Sequence, residues 1–235
     1  MFAVDHAATA LLIKRRYPSV PMAPLLISVQ AMELAWVGLN YAGIERTTTD
    51  NVVQSVANIH LVSMPYSHSV ATAVGAAVLS WLMLEKGLGR VALGRAVGLG
   101  IVSHLVLDLA THGHDIVLWP GSTMPKLGLG LYDSAPLAAF FVELIYGVFC
   151  WCVYRGGTGL LALVVLGNLA NLSFLSATIP GPEQYLANRP LLAVTAIFVQ
   201  IVVTLILVYV LSDRRDSRQT ESREKISRGA RLIPG

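Results

Sequence analysis

The chain alternates long apolar runs with short polar connections, and none of the runs shows the period-two alternation of a half-buried strand. Apolar runs near 20 residues read as membrane-crossing helices. Phe2 to Ile13 predicts a short helix that carries Asp5 and His6 and is closed by Lys14, Arg15 and Arg16. At about 1.5 Å per residue it reaches only part of the way across a ~30 Å hydrocarbon layer. It either extends through Arg16 and Tyr17 by snorkelling or is a short, tilted or re-entrant piece. Pro21 to Gly43 predicts a second span with Glu33 at its middle, and Ile44 to Pro65 a polar connection. Ser69 to Leu84, Val91 to Thr111, Ser134 to Tyr154, Gly159 to Ala177 and Pro190 to Leu211 predict five more spans. Gly94 and Gly98 have the small-xxx-small spacing that lets a second helix come close. Between the fourth and fifth spans lies a loop rich in turn formers. The expected fold class is all-α: a polytopic integral-membrane helical bundle of about seven hydrophobic helices over residues 1–212. Residues 213–235, charged and rich in Ser and Arg, are expected to form a disordered basic cytoplasmic tail.

Composition fits this class, with 54% hydrophobic and only 13% charged residues in a chain of 235. The net charge of +3 does not point to nucleic acid, because the basic residues gather at span ends and in the tail. Cys150 and Cys152, two apart on one helix, face different sides and read as apolar filler. No cleavable signal peptide is expected, since the basic cluster at Lys14 to Arg16 follows the first apolar stretch instead of preceding it. Seven spans with the tail inside put Lys14, Arg15, Arg16, Lys86, Arg90, Arg95, Arg155 and the tail's basic residues on one side. Arg46, Lys126 and Arg189 fall on the other. The positive-inside rule then predicts N-out, C-in, and the expected location is a bacterial inner (plasma) membrane.

The chemistry concentrates in Val102 to His112, where two imidazoles and a carboxylate interrupt an apolar run. On a helix His104 and Asp108 lie one above the other, and His112 lies about 80° around from His104 and about 40° from Asp108. An Asp near a helix centre costs roughly 2.5–3.5 kcal/mol on the insertion scale, so such a cluster points by default to function. His6, Glu33, His68 and Glu143 fall at middle or outer depths on four other helices, and none of these intramembrane groups is Lys or Arg. Several buried carboxylates with no basic partner need a cation or protons. Neutral imidazoles with carboxylates form the ligand set of zinc and related divalent metals, and protonation in a relay or ion-coupled carrier is the alternative. His60 reads as a solvated connection residue, and His114 and Asp115 as turn or cap residues. Asn168 and Asn171 either join the site or hydrogen-bond across helices.

Ser103-His104-x-x-x-Asp108-x-x-Thr111 followed by Leu118-Trp119-Pro120, with an upstream Ser67-His68-Ser69 and an early His6, resembles the YdjM-like family of membrane-bound metal-dependent hydrolases. The closer likeness is to a branch carrying Tyr-Ser-His-Ser, Ser-His-x-x-x-Asp-x-x-Thr-His and Pro-Gly-Ser…Lys-Leu-Gly-Leu-Gly-Leu, here Tyr66 to Ser69, Ser103 to His112 and Pro120 to Leu131. It covers residues 5 to about 145 and leaves the last two spans and the tail unexplained. The family's Pro-Asp-x-Asp-His segment is represented only by Glu33, and its His-Arg-Gly before Thr-His-Ser is replaced by Ser63 to Tyr66. These departures favour a mononuclear over a dinuclear site.

The sequence thus leads to an integral-membrane metal-dependent hydrolase open to the extracytoplasmic face. The expected metal ligands are His6, His68, His104 and Asp108, with His112 beside them, and Glu33 or Glu143 completes the shell or acts as general base. The cofactor expected is a divalent ion, zinc first, with manganese or iron as alternatives. The partners expected are membrane lipids and an amphiphilic or lipid substrate, with a phosphoester as one option. A small cation- or proton-coupled transporter using the same residues is the second expectation, and a membrane scaffold with a structural polar cluster the third.

Overall fold

The computed structural model describes residues 1–176 and 178–230, with side chains described as far as Ser212. Ala177 and residues 231–235 lie outside the described residues, as do the side chains of 213–230, so the expected disorder of the tail falls outside what is described.

The chain is mostly helical. Helix α1 (Ala3–Arg16) has Asp5 in its first turn and Lys14, Arg15 and Arg16 in its last, each matched to the end of the helix dipole it faces. Lys14 Nζ also donates to the carbonyls of Pro18 and Val20 (both 2.9 Å) and folds the following turn back onto the helix end. Then come α2 (Met22–Val29), α3 (Ala31–Tyr41) and an antiparallel hairpin of β1 (Arg46–Thr49) and β2 (Ile59–Ser63), in which Thr48 pairs with His60. Helix α4 (Val70–Leu82), extended to Gly87 by a π-turn, leads to α5 (Val91–Thr111). The next loop holds a two-stranded ribbon of β3 (Ile116–Val117) and β4 (Lys126–Leu127), then the short α6 (Leu131–Ser134). Three helices close the fold: α7 (Pro136–Tyr154), α8 (Thr158–Ala170) and α9 (Pro190–Ala230).

Among the described residues four helical stretches are long and apolar enough to cross a membrane: Val70–Gly87, Val91–Thr111, Pro136–Tyr154 and Pro190–Ser212. The pair α2 and α3 makes a fifth if its two parts, bent by 56°, count as one broken span. Only 11% of the Val70–Gly87 stretch and 28% of the Pro190–Ser212 stretch are buried. Leu79, Ile145, Phe149, Val203 and Ile206 point outward, an apolar exterior suited to lipid. The expected count of seven is reached only by adding α1 and α8. Their 14 and 13 residues span about 21 and 20 Å, short of a ~30 Å hydrocarbon core.

Helix α1 has the most buried position of all. Ala3, Ala7, Ala8 and Ala10 let α7, α2, α9, α5 and α8 pack around it, so nearly every residue from Ala3 to Ile13 is buried. A helix that would fit poorly as a lone span is instead the axis of the bundle, which explains how it can carry Asp5 and His6. Helices α4 and α5 pack closely at Gly94 and Gly98. A Cβ on Gly94 would lie 2.8 Å from the Trp81 carbonyl oxygen, so the expected small-residue contact is present.

The Ile44 to Pro65 connection holds a hairpin in place of an irregular loop. β-branched Thr47, Thr48 and Thr49 suit a strand without giving the apolar alternation by which strands are read. The second span is broken where continuous helix was expected. Gln30 (φ −116°, ψ 6°) leaves helical geometry between α2 and α3.

Candidate metal centre

The break at Gln30 sets up one side of the site. Val29 ends α2, so its carbonyl is among those a helix terminus leaves without an intrahelical partner. It accepts a hydrogen bond from His104 Nδ1 at 2.7 Å. Since a carbonyl only accepts, His104 Nδ1 carries a proton, which leaves the Nε2 lone pair of the neutral ring facing the cluster. Such a partner on the far side of the ring is what orients histidine ligands in metal sites.

His68 reaches the same place from the start of α4. Ser69 caps that helix by accepting the Thr72 N–H (3.2 Å), and Ala71 N–H is tied to the Leu118 carbonyl (2.8 Å). The His68 ring faces Ser67 Oγ with Nδ1 (2.8 Å) and the cluster with Nε2. That Nε2 lies 3.2 Å from Glu33 Oε2 and 3.5 Å from Asp108 Oδ2. His104 Nε2 lies 3.0 Å from Asp108 Oδ2 and 3.8 Å from Glu33 Oε2. His6 on α1 stacks on the His104 ring (3.9 Å between centroids, 14° between planes) and brings Nε2 to 3.1 Å from Asp108 Oδ1.

These contacts are close, yet His68 Nε2, His104 Nε2 and Asp108 Oδ2 are buried without a hydrogen-bond partner among the described residues. The imidazole Nε2 atoms and the carboxylate oxygens face one another at 3.0–3.8 Å, and neutral rings protonated on Nδ1 present lone pairs to those oxygens. Acceptors so placed in a buried site repel unless a cation or extra protons lie among them. His6, His104 and Asp108 form one group whose ligand atoms lie within 4.8 Å of one another, and Glu33, His68 and His104 form a second. The groups share His104, and imidazole with carboxylate suits a divalent transition ion. The donor set therefore fits the expected metal. The Met1 nitrogen lies 2.9 Å from Asp108 Oδ1 and 2.8 Å from Thr111 Oγ1.

Other predicted residues stand at the edge. His112 caps the end of α5, 3.7 Å from Asp108 Oδ1 and 3.4 Å from Asp115 Oδ2, outside both ligand groups. Burial pulls its pKa down, but Asp108 and Asp115 outweigh burial and hold it above the usual histidine range. Glu143 lies in a neighbouring polar layer, with Oε1 accepting from the Tyr132 hydroxyl (2.5 Å) and Oε2 from the Phe2 N–H (3.1 Å). Burial, then Glu143, pushes the Tyr132 phenol well above its ordinary pKa, so it remains a donor. In the same layer Asn168 donates to Asp5 Oδ1 (3.3 Å), while Asn171 accepts from Gln200 (2.7 Å). His60 is half exposed on β2 and pairs with Asp50 at 2.9 Å.

A cavity of about 520 Å³ opens beside the cluster. Its lining joins the polar His6, Gln30 and Glu33 to the apolar Phe2, Trp36, Phe174, Ile197 and Ile201, with residues of β2 and of the His112 to Asp115 turn. His60 and His114, expected as connection and turn residues, are part of this lining. Two polar residues that the sequence did not single out are buried, Gln30 in the cavity lining and Glu45 away from it. Gln30 Oε1 has no partner among the described residues, although its amide donates to the Ala3 carbonyl (3.0 Å). Glu45 is buried next to Ser67. Gln30 had a usable signal as an amide in an apolar run, whereas Glu45 sits in a polar stretch that hides it. No family model, curated protein or solved structure matches this chain.

Proposed function

We propose that this protein is an integral-membrane, metal-dependent hydrolase that acts on an amphiphilic lipid ester or phosphoester from the extracytoplasmic side. The observation that carries the proposal is the convergence of His68 Nε2, His104 Nε2 and Asp108 Oδ2, buried and unpartnered, beside a cavity lined by polar and apolar residues. His6, His68, His104 and Asp108 would hold the ion, with zinc the first choice and manganese or iron next. Such an ion, when bound, lowers the pKa of a water to about 7 and polarises the bond under attack. Glu33 is partly exposed and lines the cavity, so its carboxylate is placed to complete the shell or to take the proton of the attacking water. Phe2, Trp36, Phe174, Ile197 and Ile201 would hold an acyl chain and keep bulk water out. The motif likeness to YdjM-like hydrolases points the same way.

Lipid-ester and phosphoester substrates offered in mixed micelles to the purified, metal-loaded protein test this. Hydrolysis should occur, stop on chelation, and fall by about 10²–10⁴-fold in Glu33→Gln, the usual range for a general base. Turnover indifferent to both chelator and Glu33→Gln contradicts the proposal.

The broken pair α2–α3 favours a second reading, because carriers often build midplane sites from discontinuous helices. Under it the same residues bind a passing cation or proton. Metal or proton flux into proteoliposomes, with no hydrolysis of any lipid offered, would select that reading.

A further inference from the structure

Glu45 follows α3 by four residues and immediately precedes β1, in a stretch whose sequence looks like solvated connection. It is nevertheless only 2% exposed, and three donors from one short segment satisfy it. Oε1 accepts the N–H groups of Tyr66 (2.8 Å) and Ser67 (2.9 Å), and Oε2 accepts the Ser67 hydroxyl (2.6 Å). Once that hydroxyl proton points to Glu45, Ser67 Oγ faces His68 Nδ1 at 2.8 Å as an acceptor. Nδ1 must then carry a proton, so the neutral imidazole directs its Nε2 lone pair toward Glu33 and Asp108. The two backbone bonds would close the base of the hairpin unaided. The hydroxyl adds nothing to that closure and instead links the carboxylate to the imidazole.

We infer that Glu45 is a positioning residue for the metal centre, acting through Ser67 to fix the tautomer and direction of His68; the inference rests on the metal reading above. His104 achieves the same state through the Val29 carbonyl. Two ligand histidines thus present Nε2 through unrelated partners, one a helix-terminal carbonyl and the other a carboxylate–hydroxyl chain. Partners of this kind commonly matter to metal affinity by 10–100-fold. The hairpin that lines the cavity and the His68 ring are fixed by one carboxylate, so both are set together.

Cobalt titration of the purified full-length chain tests this, with visible absorption reporting the ligand field and a competing chelator reporting affinity. Ser67→Ala removes the link but leaves both backbone bonds to Glu45, and should weaken binding by about 10–100-fold with altered cobalt bands. Ser67→Thr keeps a hydroxyl and should restore affinity to within a few-fold of wild type. Glu45→Gln preserves size, but its amide can donate to Ser67 Oγ. The hydroxyl would then turn toward His68 Nδ1, shift the imidazole proton to Nε2 and reproduce the Ser67→Ala defect. Cobalt bound with wild-type affinity and spectrum by Ser67→Ala and Glu45→Gln overturns the inference alone. Wild-type protein that binds no cobalt overturns it together with the metal reading.

Discussion

A Cβ at position 147 would lie 2.7 Å from Asp5 Oδ1 and 2.7 Å from Val164 Cγ1, so the glycine on α7 makes the room that the α1 carboxylate occupies. Gly147→Ala should therefore destabilise the protein by about 1–3 kcal/mol, the usual range for overpacking, visible as a lower midpoint in thermal unfolding in detergent. An unchanged midpoint would mean that Asp5 can move away freely. Tyr132→Phe strips Glu143 Oε1 of its donor while keeping the ring, and should cost about 1–3 kcal/mol for the buried acceptor left behind. Metal content should stay unchanged, because Glu143 lies outside both ligand groups. At this scale the sequence was readable where a polar residue interrupts an apolar run. His6, Glu33, His68, His104 and Asp108 stand out for that reason and come together. Glu45 did not stand out, because a carboxylate among threonines and an arginine looks solvated until its partners at Tyr66 and Ser67 fold over it.

Helix α5 is the element whose pattern and structure agree residue for residue, from Val91 to Thr111. Its glycine stripe also does what the spacing implied, since the α4 backbone lies against Gly94 and Gly98. Gly94→Val should push the Trp81 carbonyl away and separate the two helices, with a loss of about 1–3 kcal/mol or more. The displacement would reach His104, which sits farther along the same helix, so metal affinity should fall with stability. Full retention of both in Gly94→Val would show that the close approach is dispensable. The break between α2 and α3 escaped notice for a physical reason: Gln30 lies in a continuous apolar run with neither Pro nor Gly beside it. Local propensity favours an unbroken helix there. The bend comes with tertiary bonds, from Gln30 to the Ala3 carbonyl and from His104 to the Val29 carbonyl. The β1–β2 hairpin was hidden similarly, its strands lacking an alternating apolar face.

For the whole molecule, hydrophobicity located the long helical segments but not their roles, and it missed the short α6 in the turn-rich loop. Helix α1 appeared marginal as a span and is the packed axis of the bundle. Four stretches, or five with the bent pair, have the length and character to cross a bilayer. If α1 and α8 complete the seven crossings within the bundle, the orientation proposed from the basic residues places the cavity outside. A reporter fused after Gly235 should behave as cytoplasmic, and one inserted near Lys126 as extracytoplasmic. Both reporting the same side would contradict the proposed placement of the site.

Imidazoles and carboxylates from α1, α3, α5 and the start of α4 converge in an arrangement that could hold a divalent ion. His104 is the decisive position because it belongs to both ligand groups. The most direct measurement is the metal content of the purified protein, compared among wild type, His104→Ala and His60→Ala by elemental analysis. Stoichiometric divalent metal is expected in wild type and in His60→Ala, whose ring pairs with Asp50 on the hairpin, and its loss in His104→Ala. Equal metal content in wild type and His104→Ala would contradict the metal reading.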